Sequence, residues 1–333
     1  MARKKVTIQD ISLESGVSPS TVSRVLTGKA PVSQEKREAV QLAIKQLNYR
    51  PNHLARSLKT NTTFSVGLLL NDIANPFYSA IVRGVEEEAN RQGYSVILCN
   101  TNEDPERELH YLQILQDKQV DGIIVGPTDH NAAYICELAQ QIPLIFVDRQ
   151  VDDKKVSAVV VDNEASCYRA TQLLIEHGYQ RIALLRQNEI ATMEERYHGY
   201  ERALLTAGIP LDPSLVIRVE CLSWERACEL TEQLFASFDR PPAIFALNNQ
   251  LGLGALSAIQ RVGLTIPDDI ALIIFDDMAA FSLLTPPITV IKQPAFAMGE
   301  QAMRLLLKQM QTTKGINPEV ITLPTELVER ASV

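Results

Sequence analysis

Histidine and cysteine are scarce in this chain and poorly placed for chemistry. Five histidines are scattered over 333 residues, and the five cysteines (Cys99, Cys136, Cys167, Cys221 and Cys228) form no CxxC pair and no His/Cys cluster of zinc spacing. No metal site and no disulfide framework is expected; cysteines set in or beside apolar runs read as reduced core residues of a cytoplasmic protein. Long apolar runs are missing as well. The longest, such as 270–275, have the length of a buried strand and fall far short of the roughly 18 residues of a membrane span. Arg3-Lys4-Lys5 near the N-terminus is followed by no apolar segment, so it is not read as a secretory signal. There is no Walker-type loop, no G-x-S-x-G elbow and no H-E-x-x-H. Gly252-Leu253-Gly254 with Ser257 approaches G-x-G-x-x-G, but it lacks the third glycine and lies inside a helical pattern. It reads as small residues for close packing. These absences argue against an enzyme, and no cofactor is expected.

What is present is size and an uneven charge. At 333 residues and 46% hydrophobic content, the chain can form two or three compact units with sizeable cores. Its net charge of −8 hides an asymmetry: residues 1–60 hold eleven Lys and Arg against four Asp and Glu, or +7, which leaves −15 on the remainder. A basic head on an acidic body fits polyanion binding by the head alone. Arg3-Lys4-Lys5 reads either as a solvated tail or as a phosphate-contacting arm.

The head contains Gly16-Val17-Ser18-Pro19-Ser20-Thr21-Val22-Ser23-Arg24-Val25-Leu26, a turn followed by a helix. Ser18 suits the N-cap and Pro19 the first helical position. Val22, Val25 and Leu26 recur at i, i+3, i+4 as the inner side. Ser20, Arg24 and Thr27 oppose them, a short polar face with one guanidinium that suits a major groove. Upstream, Thr7-Ile8-Gln9-Asp10 matches a capping box, ahead of a first helix that turns Ile8 and Ile11 inward. Gly16 permits a tight turn. Ser33 is placed to cap a third helix with Val40, Ala43, Ile44 and Leu47 on one face. Together these make a helix-turn-helix module, although any small helical bundle would share the amphipathic pattern.

Three segments resemble the headpiece of the LacI/GalR (lac repressor) family: Val6-Thr7-Ile8-Gln9-Asp10-Ile11, the turn-helix above, and Leu47-Asn48-Tyr49-Arg50-Pro51-Asn52. The resemblance implies a DNA-binding headpiece over 1–50, a hinge helix and linker over 51–62, and a two-lobed effector and dimerisation domain over 63–333. It implies that Thr7, Ser18, Pro19, Ser20, Thr21, Ser23 and Arg24 face double-stranded operator DNA. By its residues alone, the stretch after Pro51 is either a plain linker or a marginal two-turn helix. The resemblance implies a hinge helix in the minor groove, with Asn52, Ala55 and Leu58 on the DNA and Leu58 as a wedge.

Beyond residue 64 the pattern alternates. Apolar, strand-like runs at 65–70, 95–99, 122–125, 144–147, 158–161, 181–185, 216–219, 243–247 and 271–275 are separated by stretches of helical period, and 288–291 and 320–323 add two more. That is the pattern of βαβ units, an α/β fold with too many strands for one sheet. Two doubly wound parallel sheets with a cleft between them are expected, with ligands beyond the carboxyl ends of the strands. Asp and Asn recur at those ends: Asn71-Asp72, Asp148, Asp162-Asn163, Asn248-Asn249 and Asp276-Asp277. They read either as caps of the following helices or as the lining of a polar cleft.

The family resemblance extends to Asn75-Pro76-Phe77-Tyr78, Val147-Asp148-Arg149, Arg196-Tyr197-His198-Gly199-Tyr200, Asn248-Asn249-Gln250 and Phe275-Asp276-Asp277, in a domain similar to periplasmic sugar-binding proteins. It implies that Asn75, Phe77, Tyr78, Asp148, Arg196, Leu222, Asn248 and Asp276 contact the effector. Two positions depart from the family pattern. Asn249 stands where Asp is usual, and Leu222 where many members carry an aromatic, with Trp224 near enough in sequence to substitute. The resulting expectation is a homodimeric transcriptional repressor binding a pseudo-palindromic operator, controlled by a small polar effector such as a sugar or sugar acid. The C-terminal residues show no leucine heptads that would join dimers into a tetramer. A nucleobase, or a phosphoprotein partner, is the alternative controller. A plain solute-binding protein would leave the basic head unexplained.

Overall fold

The computed structural model describes residues 6–27, 31–49, 62–151, 156–187, 190–220, 223–237, 240–312 and 317–333. Asn52, Ala55, Leu58 and Leu222, like Arg3, Lys4 and Lys5, lie outside the described residues. The chain divides into two compact units, Met1–Thr63 and Phe64–Val333.

Among its described residues the first unit holds three helices, α1 (Ile8–Ser15), α2 (Pro19–Thr27) and α3 (Gln34–Gln46). The expected capping box opens α1: the Thr7 amide donates to Asp10 Oδ2 at 2.7 Å, and the Asp10 amide donates to Thr7 Oγ1 at 3.3 Å. Gly16 closes it at φ 67°, a left-handed conformation that costs glycine little. Ile11, Val17, Val22, Val40 and Ala43 form the core, with Ile8, Val25, Leu26, Ile44 and Leu47 packed around it. One detail differs from expectation. Ser33 occupies the N-cap of α3, but its hydroxyl makes no capping bond; only its carbonyl engages, accepting from the Arg37 amide at 3.1 Å.

The second unit is two lobes of the same design. The first-lobe sheet runs β2 (Ser95–Asn100), β1 (Ser65–Leu70), β3 (Gly122–Val125), β4 (Leu144–Val147), β5 (Ser157–Val161), β11 (Val320–Leu323), all parallel. The second-lobe sheet runs β7 (Val216–Val219), β6 (Ile182–Gln187), β8 (Ala243–Ala246), β9 (Ala271–Phe275), β10 (Thr289–Lys292), β12 (Glu326–Val328). Among the described strands only β12, a three-residue edge strand that the sequence pattern did not reveal, is antiparallel to its neighbour. In each lobe the second strand in chain order lies outside the first, which puts the topological switch point between β1 and β3 and between β6 and β8. The chain passes between lobes three times, at 161–163, 292–295 and 323–326.

The central strands are apolar throughout because helices cover both faces of each sheet. In the first lobe α4 (Pro76–Arg91) and α11 (Ala295–Gln311) pack on one face, and α5 (Pro105–Asp117) and α6 (Ala132–Leu138) on the other. In the second, α9 (Trp224–Phe235) and α10 (Asn249–Val262) cover one face, and α7 (Asn163–Glu176) and α8 (Ala191–Thr206) the other. The Gly252-Leu253-Gly254 run is a packing device on α10, as expected. A Cβ at Gly252 would lie 2.5 Å from Ile274, and one at Gly254 would lie 2.6 Å from the Trp224 carbonyl. Among the described residues no helix is long and apolar enough to cross a membrane.

Candidate functional site

In the first unit, α2 presents Ser18, Pro19, Ser20 and Arg24 to solvent, with Thr21 and Ser23 half-buried beside them and Thr7 exposed at the start of α1. Ser18 Oγ lies 3.1 Å from Ser20 Oγ and 3.0 Å from Thr21 Oγ1, and it accepts from the Thr21 amide at 3.4 Å. Small hydroxyls gathered at a helix N-terminus, followed one turn later by an arginine, form a surface that can approach a groove closely and accept or donate to base edges and phosphates.

In the second unit, Asn75, Phe77, Tyr78, Asp148, Arg196, Asn248 and Asp276 all line one interlobe cleft, each from the carboxyl end of a strand or the helix that follows it. Asn248 fills both roles read for the strand-end residues, lining the cleft and N-capping a helix, and Asn75 does the same. Asn75 Oδ1 accepts from the Phe77 amide at 3.0 Å, and Asn248 Oδ1 accepts from the Leu251 amide at 2.8 Å. Asp162 is a cap of α7, accepting from the Ala165 amide at 2.9 Å. Trp224, the sequence's substitute aromatic, starts α9 at 38% exposure and is not among the residues lining the cleft.

Two carboxylates hold equivalent places in the two lobes. Asp148 follows β4 with φ 69°, and Asp276 follows β9 with φ 74°. Both are left-handed conformations, uncommon for a non-glycine residue though least costly for Asp and Asn. In each case the backbone amide is tied to the next strand, Asp148 to the Val159 carbonyl at 3.0 Å and Asp276 to the Ile291 carbonyl at 2.8 Å. Tyr78 donates its hydroxyl to Asp148 Oδ2 at 2.9 Å, and Gln293 donates Nε2 to Asp276 Oδ1 at 2.6 Å. Burial raises both carboxyls above their ordinary values, against the pull of Arg149 and then Arg196 on Asp148 and of Arg196 on Asp276; Asp276 is pushed up to about 6.

Arg196 is fixed within the second lobe. Its Nε donates to Asn163 Oδ1 at 2.8 Å, its Nη1 donates to the Leu247 carbonyl at 2.6 Å, and its guanidinium lies 3.6 Å from the centroid of the Phe275 ring. Nη2 makes no hydrogen bond among the described residues. Among the described residues, both of its side-chain hydrogen bonds stay within the second lobe.

Beside Asp148, Arg149 also lines the cleft, and the strand ends bring further residues there that the sequence did not single out: Glu103, Gln187, Thr192, Met193 and Gln293. Glu103 and Arg149 form a two-pronged ion pair at 2.8 and 2.5 Å. Two buried atoms there lack hydrogen-bond partners, the donor Arg149 Nε and the acceptor Gln293 Oε1. Orphaned polar atoms are costly in a protein interior, and a pair of opposite kinds in one cleft suits a polar ligand. Among the described residues no group of His, Cys, Asp and Glu is arranged to hold a metal ion.

A helix-turn-helix unit in one chain with a two-lobed, doubly wound binding domain defines a DNA-binding transcriptional regulator. Residues 63–331 match the periplasmic binding proteins and sugar binding domain of the LacI family, and residues 7–52 match the bacterial regulatory proteins of the lacI family. The chain belongs to the LacI family, as a DNA-binding transcriptional repressor. It is 34% identical over 332 residues to the HTH-type transcriptional repressor PurR of Aliivibrio salmonicida, covering 98% of each chain. Among solved structures, it is similar to the lac repressor dimer bound to operator and the anti-inducer ONPF (28% identity, TM-score 0.87, 99% of each chain). It is also similar to a complex of the transcriptional regulator CelR with cellobiose (30% identity, TM-score 0.73, 99% of this chain and 100% of that one). These are regulators and not enzymes, consistent with the missing catalytic motifs.

Proposed function

We propose that this repressor is a cytoplasmic homodimer that reads a pseudo-palindromic operator through α2 and is controlled by a small polar effector bound between the two lobes. A sugar or sugar acid is the effector class. The observation that carries this reading is the convergence of Asp148, Asp276 and Arg196 on one cleft that also contains an orphaned donor and an orphaned acceptor. Carboxylates accept from ring hydroxyls, and an arginine held by its other nitrogens can donate to a hydroxyl or a carboxylate. The cellobiose in the CelR complex supports the same class. On the DNA side, Thr7, Ser18, Pro19, Ser20, Thr21, Ser23 and Arg24 are assigned to the operator.

The reading is tested by thermal melts of the full chain against free sugars, sugar acids and nucleobases, since a ligand of the folded state raises the melting point. Stabilisation by a sugar or sugar acid supports it. Stabilisation by nucleobases alone overturns the assigned class.

A further inference from the structure

Of the strand-end pair Asp162-Asn163, Asp162 caps α7, while Asn163 is the first residue of that helix and is not among the residues lining the cleft. Asn163 is nevertheless buried, and both ends of its amide are engaged. Its Oδ1 accepts from Arg196 Nε at 2.8 Å, and its Nδ2 donates to Glu195 Oε2, also at 2.8 Å. A neutral amide thus stands between a buried guanidinium and an exposed carboxylate on adjacent residues of α8. In such a chain each hydrogen bond polarises the next. Gly199, one turn further along α8, lets the two helices approach closely enough for so short a side chain to reach. A Cβ there would collide with the Glu164 carbonyl and lie 2.9 Å from the Tyr168 amide nitrogen.

This arrangement fixes the heading of Arg196. Asn163 holds Nε and the Leu247 carbonyl holds Nη1, so two nitrogens are tied to the start of α7 and the end of β8, and Nη2 remains for the cleft. The neutrality of the amide matters too. Arg196 is the cation whose field reaches both Asp148 and Asp276. A carboxylate at position 163 would offset that charge, whereas an amide orients the guanidinium and leaves it charged. We propose that Asn163, backed by Glu195, is a positioning residue of the effector site: it aims Arg196 at the cleft and leaves the guanidinium's charge to the effector. Asn163 also ends the crossing at 161–163, which ties this arginine to the boundary between the lobes. The inference rests on the effector reading above and adds two residues that line no part of the cleft.

The test uses the full chain and whichever of glucose, galactose, ribose, gluconate, glucuronate, adenine and guanine raises its melting point most. Asn163→Leu, close in size but unable to hydrogen-bond, weakens that compound about tenfold or more in calorimetric titration. In an Arg196→Lys background, which has no Nε–H to hold, the same change moves affinity by less than about twofold. Asn163→Asp keeps an acceptor for Arg196 but opposes Glu195; it also weakens binding, and adding Glu195→Gln, which restores a donor, recovers part of the loss. A purely structural role gives equal losses in both backgrounds and no recovery from position 195, and either result overturns the inference. If Asn163→Leu does not fold, the Asn163→Asp pair decides in the same way. A readout without effector is the Arg196 Nε–H resonance in nitrogen–proton correlation spectra, assigned by its disappearance in Arg196→Lys. It exchanges slowly with water in the parent and rapidly in Asn163→Leu; equally slow exchange in both overturns the hold on Arg196. If no compound in the panel binds, the effector reading fails for those classes and this resonance alone decides for or against Asn163.

Discussion

Asn75 of the first lobe and Asn249 of the second are joined side chain to side chain by two reciprocal hydrogen bonds. Asn249 Nδ2 donates to Asn75 Oδ1 at 2.8 Å, and Asn75 Nδ2 donates to Asn249 Oδ1 at 3.2 Å. Asn249 is fully buried, and Asn75 is nearly so. Asn at position 249 thus has a structural meaning: an amide can both donate and accept, and a carboxylate can only accept. Asn249→Asp leaves one bond, sets two acceptors against each other and buries a charge. It should cost about 1–3 kcal/mol of stability in chemical denaturation. No loss would show that the amide pair does not hold the lobes.

Asp276 makes stability depend on pH. In the folded chain it keeps its proton to about pH 6, while the unfolded chain releases it near the ordinary 3.8. A folded value above the unfolded one contributes stability that is complete below about pH 4 and lost as pH rises to about 6. The loss from this group is on the order of 3 kcal/mol. Asp276→Asn keeps the acceptor for Gln293 and removes the titration. It should flatten the decline measured between pH 4 and pH 6.5, raise the melting point at neutral pH and weaken effector binding. An unchanged pH profile would contradict the raised carboxyl.

Arg196 carries structure as well as a binding surface. Arg196→Ala leaves the Leu247 carbonyl and the Asn163 side chain without their partner, so the second unit loses several tenths to about 3 kcal/mol. Operator affinity without effector should remain near that of the parent, because the headpiece has its own core. The effector's influence on that affinity should disappear. A variant that still responds normally would remove Arg196 from the effector site.

On α2, Ser20 and Arg24 are exposed on one face while Val22 is fully buried. Changing Ser20 should alter the preferred half-site in selection from a randomised DNA library, by about 1–3 kcal/mol for a contacted base pair. The fold of the headpiece should be unaffected. An unchanged preference would take Ser20 off the reading face.

The strands were legible because sheets covered on both faces demand uninterrupted apolar runs. The edge strand β12, three residues with exposed Glu326, left no such run. Asp148 and Asp276 were legible because the strand-end rule and their charge pointed to the same positions. Gln187 and Gln293 obey the same rule, but a neutral amide draws no notice until its partners are seen. Arg186 and Gln187 also extend β6 two residues beyond its apolar pattern; pairing with β7 on one side and an ion pair from Arg186 to Glu194 make polar strand residues tolerable there. The Glu103–Arg149 pair joins positions far apart in the chain, and only the fold brings them together.

One cleft is proposed to control sequence-specific DNA binding. Its most direct test is titration of a library-selected operator by fluorescence anisotropy, with and without the ligand found by thermal melts, for the parent chain and for Arg196→Ala. Ligand is expected to change the parent's operator affinity by about 5–150-fold, the usual range of allosteric coupling, and to leave the variant's affinity unchanged. A ligand that binds the parent tightly without moving its operator affinity, or that moves the variant's equally, would contradict it.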